Sequence, residues 1–417
     1  MPRARVIFVF AVIAVLVTAC GDVSPSKTAT KAATGLAPST ATQGAGTAPE
    51  QSKPQTPPGT LGANPEIEAR FADQPIDQLI GQLITTKLDG QTLAPAELAA
   101  LRSGKLGGVT LFGYNAASVK QLKRLTTSIS VEGSHGSLLQ AQPFVMADQE
   151  GGSTRAIALL PPAVSQPVMG RRSDPGATEA QAAAAALAMR AAGVNVNLAP
   201  VADVDSGPAH VMRDRVFAND PTNAATQVSA AVRGFQAGHH IAATAKHFPG
   251  LGAATKNTDM GVSRVHLSRA ELLTDAAPFQ AAIDAKVDFI MTSHAIYDGL
   301  DSTVPATLDP AIATELLRAD MGFMGVVISD SMNATGLREG GRTTVPAACP
   351  RAIAAGVDEL LLTGSLETAR LCHRRVKAAL ADGTLTRVQV LTAVARVMAL
   401  KQRLGLVAGA VPAAGSK

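Results

Sequence analysis

The ionisable side chains of this sequence gather at particular places. Asp148 and Glu150 follow the apolar run Phe144–Ala147, and Asp203 follows Val194–Ala199. Lys246 and His247 end the run that begins at Ile241, His294 follows Phe289–Ser293, and Asp330 follows Val326–Ser329. Carboxylates, a lysine and imidazoles are the groups that move protons and grip polar ligands through charge-assisted hydrogen bonds. Any one of them has an ordinary structural use, as a helix cap or a satisfied core histidine. Core packing does not account for the set, because unpaired charge is costly to bury. The pattern reads as a ring of reactive groups around one site. No Cys/His cluster has metal-ligand spacing, so neither a metal nor a cofactor is expected.

Such a ring needs a scaffold that delivers one polar group per element. The apolar runs Leu79–Thr85, Leu106–Phe112, Phe144–Asp148, Val194–Ala199, Ile241–Lys246, Phe289–Ser293, Val326–Ser329 and Val357–Leu362 have the length and punctuation of buried parallel strands. Ile76–Thr85 also fits a helix. Helix-compatible stretches lie between the runs: Ala177–Ala192, Pro221–Ala237, Glu271–Ala285, Pro310–Met321 and Leu366–Ala381. Asp174 or Thr178 is available to cap the first, and Asp220 to cap the second. Strands alternating with helices predict an α/β protein, and eight candidate strands predict a single (β/α)8 TIM-type barrel. Its reactive groups belong at the C-terminal rim of the strands. The stretch after Thr386 is expected as a helix on the outside of the barrel.

The ends of the chain read differently. Arg3 and Arg5 precede an apolar run, Val6–Val17, too short to span a bilayer comfortably, and Val17-Thr18-Ala19-Cys20 follows. Residues 1–19 are predicted to be a signal peptide, with Cys20 acylated after cleavage; the pattern resembles a bacterial lipobox. The acyl chains would be the membrane partner, holding an exported protein on the outer face of the cytoplasmic membrane. Residues 20–64 are expected to be a low-complexity disordered tether, 65–408 the barrel and 409–417 a disordered tail. With a net charge of +4 over 417 residues and no basic face interleaved with aromatics, nucleic acid is excluded as a partner. The chain has no tryptophan and two tyrosines, which predicts a short polar pocket rather than a long aromatic-lined cleft. A monomer is expected. Cys349 and Cys372 are an even pair in an oxidising compartment, and their spacing leaves a disulfide open.

Lys246-His247-Phe248-Pro249-Gly250-Leu251-Gly252 resembles the Lys-His-Phe-Pro-Gly-His-Gly signature of glycoside hydrolase family 3 β-N-acetylglucosaminidases. The likeness runs over roughly residues 76–405. Asp148-Gln149-Glu150-Gly151-Gly152 resembles the family's Asp-Gln-Glu-Gly-Gly turn, whose aspartate holds sugar hydroxyls. Leu198–Val204 resembles its next strand end, and Arg213–Phe217 places Arg215 on a substrate-contacting arginine. Gly325–Asp330 resembles the strand that delivers the nucleophile, onto which Asp330 falls, and Met291–His294 resembles the strand before it.

The resemblance implies a retaining exo-β-N-acetylglucosaminidase acting on a carbohydrate substrate, with peptidoglycan fragments suggested by the address. Asp330 would attack the anomeric carbon, while Asp148, Lys246, His247 and His294 would bind substrate. Arg155, one residue early relative to the family's arginine after Gly-Gly, would serve the same end.

The sequence departs from the family in the following loop. The family's acid/base histidine, in Asp-Ser-His, is absent; Asn257-Thr258-Asp259 stands there, and Leu251 replaces the histidine of Gly-His-Gly. Asp259 is then the candidate acid/base, with Asn257 orienting the loop, provided that the Asp259 pKa is raised. His266 or Glu271 is a substitute that the spacing does not favour. The alternatives are a catalytically impaired sugar-binding lipoprotein and a β-glucosidase of the same family. An ionised Asp259 would repel phosphate, so hydrolysis is expected over phosphorolysis.

Overall fold

The computed structural model describes Phe71 and residues 73–238, 241–341 and 343–407. The signal peptide, Cys20, the tether and the C-terminal tail expected from the sequence lie outside the described residues.

Eight parallel strands form the centre: β1 (Ile84–Lys87), β2 (Gly108–Leu111), β3 (Phe144–Ala147), β4 (Val196–Asn197), β5 (Ala242–Phe248), β6 (Phe289–Thr292), β7 (Val326–Ser329) and β8 (Leu360–Leu362). Each pairs with its neighbour in chain order, and β1 also pairs with β8. Ser329 N–H donates to the Glu359 carbonyl at 2.9 Å and Glu359 N–H to Val327 at 3.0 Å, which brings β7 against β8 and the ring to closure. The strands are buried almost throughout, on the barrel interior and beneath the helices alike. That explains why they read as unbroken apolar runs rather than alternating ones. A TIM-type barrel is the fold.

Helices cover the outside. Asp174 caps Pro175–Ala191 by accepting the Ala177 N–H at 3.0 Å, and Asp220 caps Pro221–Gln236 through Asn223 N–H at 2.7 Å. Proline at the start of each suits a position whose N–H has no helical partner. These two helices pack closely because Gly234 faces the first one; a Cβ there would lie 2.3 Å from the Glu179 carbonyl oxygen. The final helix, Arg387–Arg403, is capped by Thr386 and passes under the floor of the barrel. Its Lys401 Nζ donates to Gln82 Oε1 and the Gly107 carbonyl and lies over the Phe144 ring. The disulfide left open by spacing is formed between helices Val345–Ala355 and Leu366–Ala381, with Cα atoms 5.8 Å apart. No described helix is long and apolar enough to cross a membrane.

Two elements differ from the sequence reading. Leu79–Gly81 belongs to a helix, Ile76–Gly81, and the first strand starts only at Ile84. Leu79, Ile80, Leu83 and Ile84 are all fully buried, so burial alone does not separate helix from strand in this run. Glu271–Ala285 is two helices, Arg269–Asp275 and Ala277–Asp284, because Pro278 has no N–H to continue the first.

Candidate active site

A cavity of about 250 Å³ opens at the C-terminal ends of the strands. Asp148, Arg215, Lys246, His247, Asn257, Asp259 and Asp330 all line it. The barrel thus brings together charged residues as far apart in the chain as Asp148 and Asp330, 182 positions.

One wall is a web of ion pairs. Lys246 Nζ, at the end of β5 and nearly inaccessible, lies 2.5 Å from Asp148 Oδ1 and 2.7 Å from Glu150 Oε1. Glu150 also takes a forked pair from Arg215, with Nη2 at 2.6 Å and Nε at 3.1 Å. Burial opposes the charge on Glu150, but Lys246 and Arg215 outweigh it and bring its pKa down to about 2. Burial likewise works against Lys246, and Asp148 and Glu150 raise its pKa in spite of it. The pKa of Arg215 is raised in the same way, mainly by Glu150. Glu150, Lys246 and Arg215 are therefore charged together, as buried charges must be when they pair. The turn that carries Asp148 and Glu150 needs its glycines: Gly151 sits at φ +114°, and a Cβ on it would lie 2.2 Å from the Val164 carbonyl oxygen.

His247 is held by Asp203. The imidazole Nδ1 donates to Asp203 Oδ2 at 2.8 Å, and the His247 and Leu251 backbone N–H groups both donate to Oδ1. One buried carboxylate thus fixes a ring and the start of the loop that follows it, leaving Nε2 for the cavity.

Asp330, just beyond β7, faces this web. Its Oδ1 accepts the Ser331 N–H at 2.6 Å. Burial opposes its ionisation, but His247, His294, the Ser331 amide and Lys246 together hold its pKa below the usual aspartate value. Asp259 is the opposite case. It stands open to solvent at the cavity mouth, yet the protein crowding its carboxyl, and then the charge of Asp330, push its pKa up. Asn257 Oδ1 accepts the Asp259 N–H at 2.8 Å, and Gly336 N–H donates to the Thr258 carbonyl at 2.7 Å, tying the loop to the segment after β7.

The structure corrects two expected substrate contacts. Arg155 does not line the cavity; its guanidinium donates to the Gly152 and Leu160 carbonyls and so braces its own loop. His294 is fully buried behind the cavity wall, with Nε2 donating to the Ser331 carbonyl at 2.9 Å and Thr307 Oγ1 2.9 Å from Nδ1. It supports the Asp330–Ser331 turn from behind. The two substitutes for the missing histidine are engaged elsewhere: His266 pairs with Asp298, and Glu271 forms the capping box of its helix with Ser268.

Sequence reasoning placed Glu150 and Asp203 at the rim but gave them no task, because a hub between two cations cannot be read from spacing. It also missed a second carboxylate–histidine pair, Asp205 Oδ2 with His210 Nδ1 at 2.8 Å, immediately before the cavity-lining Val211 and Met212. Phe112, Met291, Ser331 and Thr363 complete much of the lining, each at or just past a strand end.

Residues 75–400 match the family model described as glycosyl hydrolase family 3 N terminal domain. The chain belongs to glycoside hydrolase family 3. An uncharacterized secreted glycosyl hydrolase of Arthroderma benhamiae is 34% identical over 333 residues, 78% of this chain and 92% of its own length. A beta-hexosaminidase of Nitrosospira multiformis is 31% identical over 297 residues, covering 68% and 81% of the two chains. In three dimensions the chain is similar to a beta-N-acetylhexosaminidase from Beutenbergia cavernae, with a TM-score of 0.70 at 30% identity, over 79% of this chain and 99% of that one. As a family 3 protein it is a glycoside hydrolase.

Proposed function

We propose that this family 3 chain is an exo-acting, retaining β-N-acetylglucosaminidase. Asp330 is the nucleophile and Asp259 the general acid/base. The observation that carries the assignment is that two carboxylates on one cavity have pKa values pushed in opposite directions, Asp330 down and Asp259 up. An ionised carboxylate can attack while a protonated one donates. In the first step an Asp330 oxygen bonds to the anomeric carbon as the glycosidic C–O bond breaks, and Asp259 gives its proton to the departing oxygen. In the second, ionised Asp259 takes a proton from water, whose oxygen displaces Asp330 from the same carbon. Lys246, Asp148, Arg215 and His247 grip the hydroxyls of the terminal sugar. A cavity of about 250 Å³ suits one sugar ring, which favours exo action. In the second step the Asp259 carboxylate repels phosphate, which favours water as acceptor.

The hexosaminidase relatives support an N-acetylhexosaminide substrate. The secreted Arthroderma relative and the lipobox-like Cys20 support export and anchoring, and from there peptidoglycan fragments as the natural substrate. The full chain would be offered the aryl β-glycosides of N-acetylglucosamine and of glucose, with the first-formed anomer followed by NMR. Release of the β-anomer from the first substrate alone is expected. Release from glucose alone would make the chain a β-glucosidase, release from neither an impaired sugar binder, and an α-anomer would remove the retaining scheme.

A further inference from the structure

The chain contains no tryptophan and two tyrosines. Tyr297 is fully buried, its hydroxyl donating to the Gly250 carbonyl at 3.0 Å with Ser293 Oγ at 2.6 Å. Tyr114 is 49% exposed, and no phenylalanine among the described residues is comparably open to water. An exposed apolar ring alone says little. Here its surroundings make it specific.

Tyr114 sits on a short turn, Gly113–Asn115, that follows β2 at the active-site end of the barrel. Its ring stacks on Phe112, with centroids 5.8 Å apart and planes 10° from parallel, and Phe112 lines the catalytic cavity. The turn is fixed from beneath by Asn115, which is fully buried. Its Oδ1 accepts the Phe112 N–H at 2.8 Å, and its Nδ2 donates to the Leu88 and Gly90 carbonyls at 3.2 and 2.6 Å. The two rings therefore form a rigid ledge running outward from the cavity, with the outer ring still half in water. A ring held in place loses little entropy when it is covered.

We propose that Tyr114, backed by Phe112, is the platform for the leaving-group sugar. The proposal rests on the reading of the cavity as the pocket for the terminal ring. That pocket has room for one ring, so the next sugar must lie outside it, and the C–H face of a pyranose is apolar enough to cover an aromatic ring. The ledge offers such a face next to the mouth. Recognition there is by shape and apolar contact, so it tolerates variation in the sugar's polar substituents.

The test is a binding measurement in full-length Asp330→Asn protein, which holds substrate without turning it over. Dissociation constants for N-acetylglucosamine and for N,N′-diacetylchitobiose are measured by titration calorimetry, with and without Tyr114→Ala. The parent should bind the disaccharide about tenfold more tightly than the monosaccharide, from one stacked ring. Tyr114→Ala should erase that preference and leave monosaccharide binding within about twofold, and Tyr114→Phe should restore it. A parent without preference, a preference that survives Tyr114→Ala, or an equal loss for both sugars would overturn the platform. Failure of the enzymatic reading shows separately, as wild-type protein that binds these sugars but hydrolyses no aryl glycoside.

Discussion

The two sides of the cavity are built to different standards. On one side Lys246, Asp148, Glu150 and Arg215 brace one another from two strand ends and a loop, and Asp203 adds three hydrogen bonds around His247. On the other, Asp259 stands on an exposed loop whose aspartate is oriented by a neighbour two residues away. The braced side has paired its charges permanently, which suits groups that must offer fixed donors and acceptors to a ligand. The loop side carries a single carboxyl whose proton is easily exchanged with solvent, which suits a group that must lose and regain it. On the proposed reading, binding is built into the barrel and proton transfer is left to a loop.

The sharpest break between the two sides should come at the point where they meet. Asp330→Asn is expected to leave folding intact and to lower kcat by about 10⁴-fold or more, since the covalent step is lost. Unfolding curves and turnover of an aryl glycoside check both halves. Lys246→Met should instead destabilise the fold, by about 3–5 kcal/mol, because it removes the buried cation between Asp148 and Glu150 and leaves Glu150 with Arg215 alone. An unfolding midpoint close to that of the wild type would mean that the web does not brace the fold.

The same web predicts a pH signature. Glu150 has its pKa lowered from 4.5 to about 2, so its contribution is full above pH 4.5 and is lost as pH falls through that interval. The loss amounts to about 3 kcal/mol for one such shift, and Glu150→Gln should flatten this acid limb in denaturant titrations. The smallest effect belongs to the loop. Asn257→Ala should leave stability unchanged and lower kcat/KM by about threefold to tenfold, the worth of one exposed hydrogen bond. A large stability loss there would erase the contrast between the two sides.

Much of this was legible in the sequence, and the limits have physical causes. Buried parallel strands announce themselves as apolar runs, so β7 was read residue for residue, and the polar groups after the runs marked the rim. The first run failed because the helix Ile76–Gly81 and strand β1 are buried continuously and share no contrasting face. Arg155 was given to the substrate by the resemblance, and His294 because its position at the rim was readable. The direction of a guanidinium or an imidazole was not. The Glu150 hub depends on where Arg215 returns from a long loop, a tertiary fact with no local signal. Asn257 and Asp259 could be found only because a histidine was missing from where the resemblance required one.

The central claim is that Asp259 supplies and removes the proton, and leaving-group dependence tests it most directly. Asp259→Ala should cut kcat/KM by about 10²–10⁴-fold on N,N′-diacetylchitobiose, whose departing oxygen needs a proton. On a dinitrophenyl glycoside, which departs unaided, the loss in the first step should be less than about tenfold. The raised pKa predicts in addition that wild-type activity on the disaccharide falls as pH rises through a value above the ordinary aspartate range, and that Asp259→Ala lacks this limb. Equal losses on both substrates, with the basic limb unchanged, would contradict the account and take Asp259 out of the mechanism.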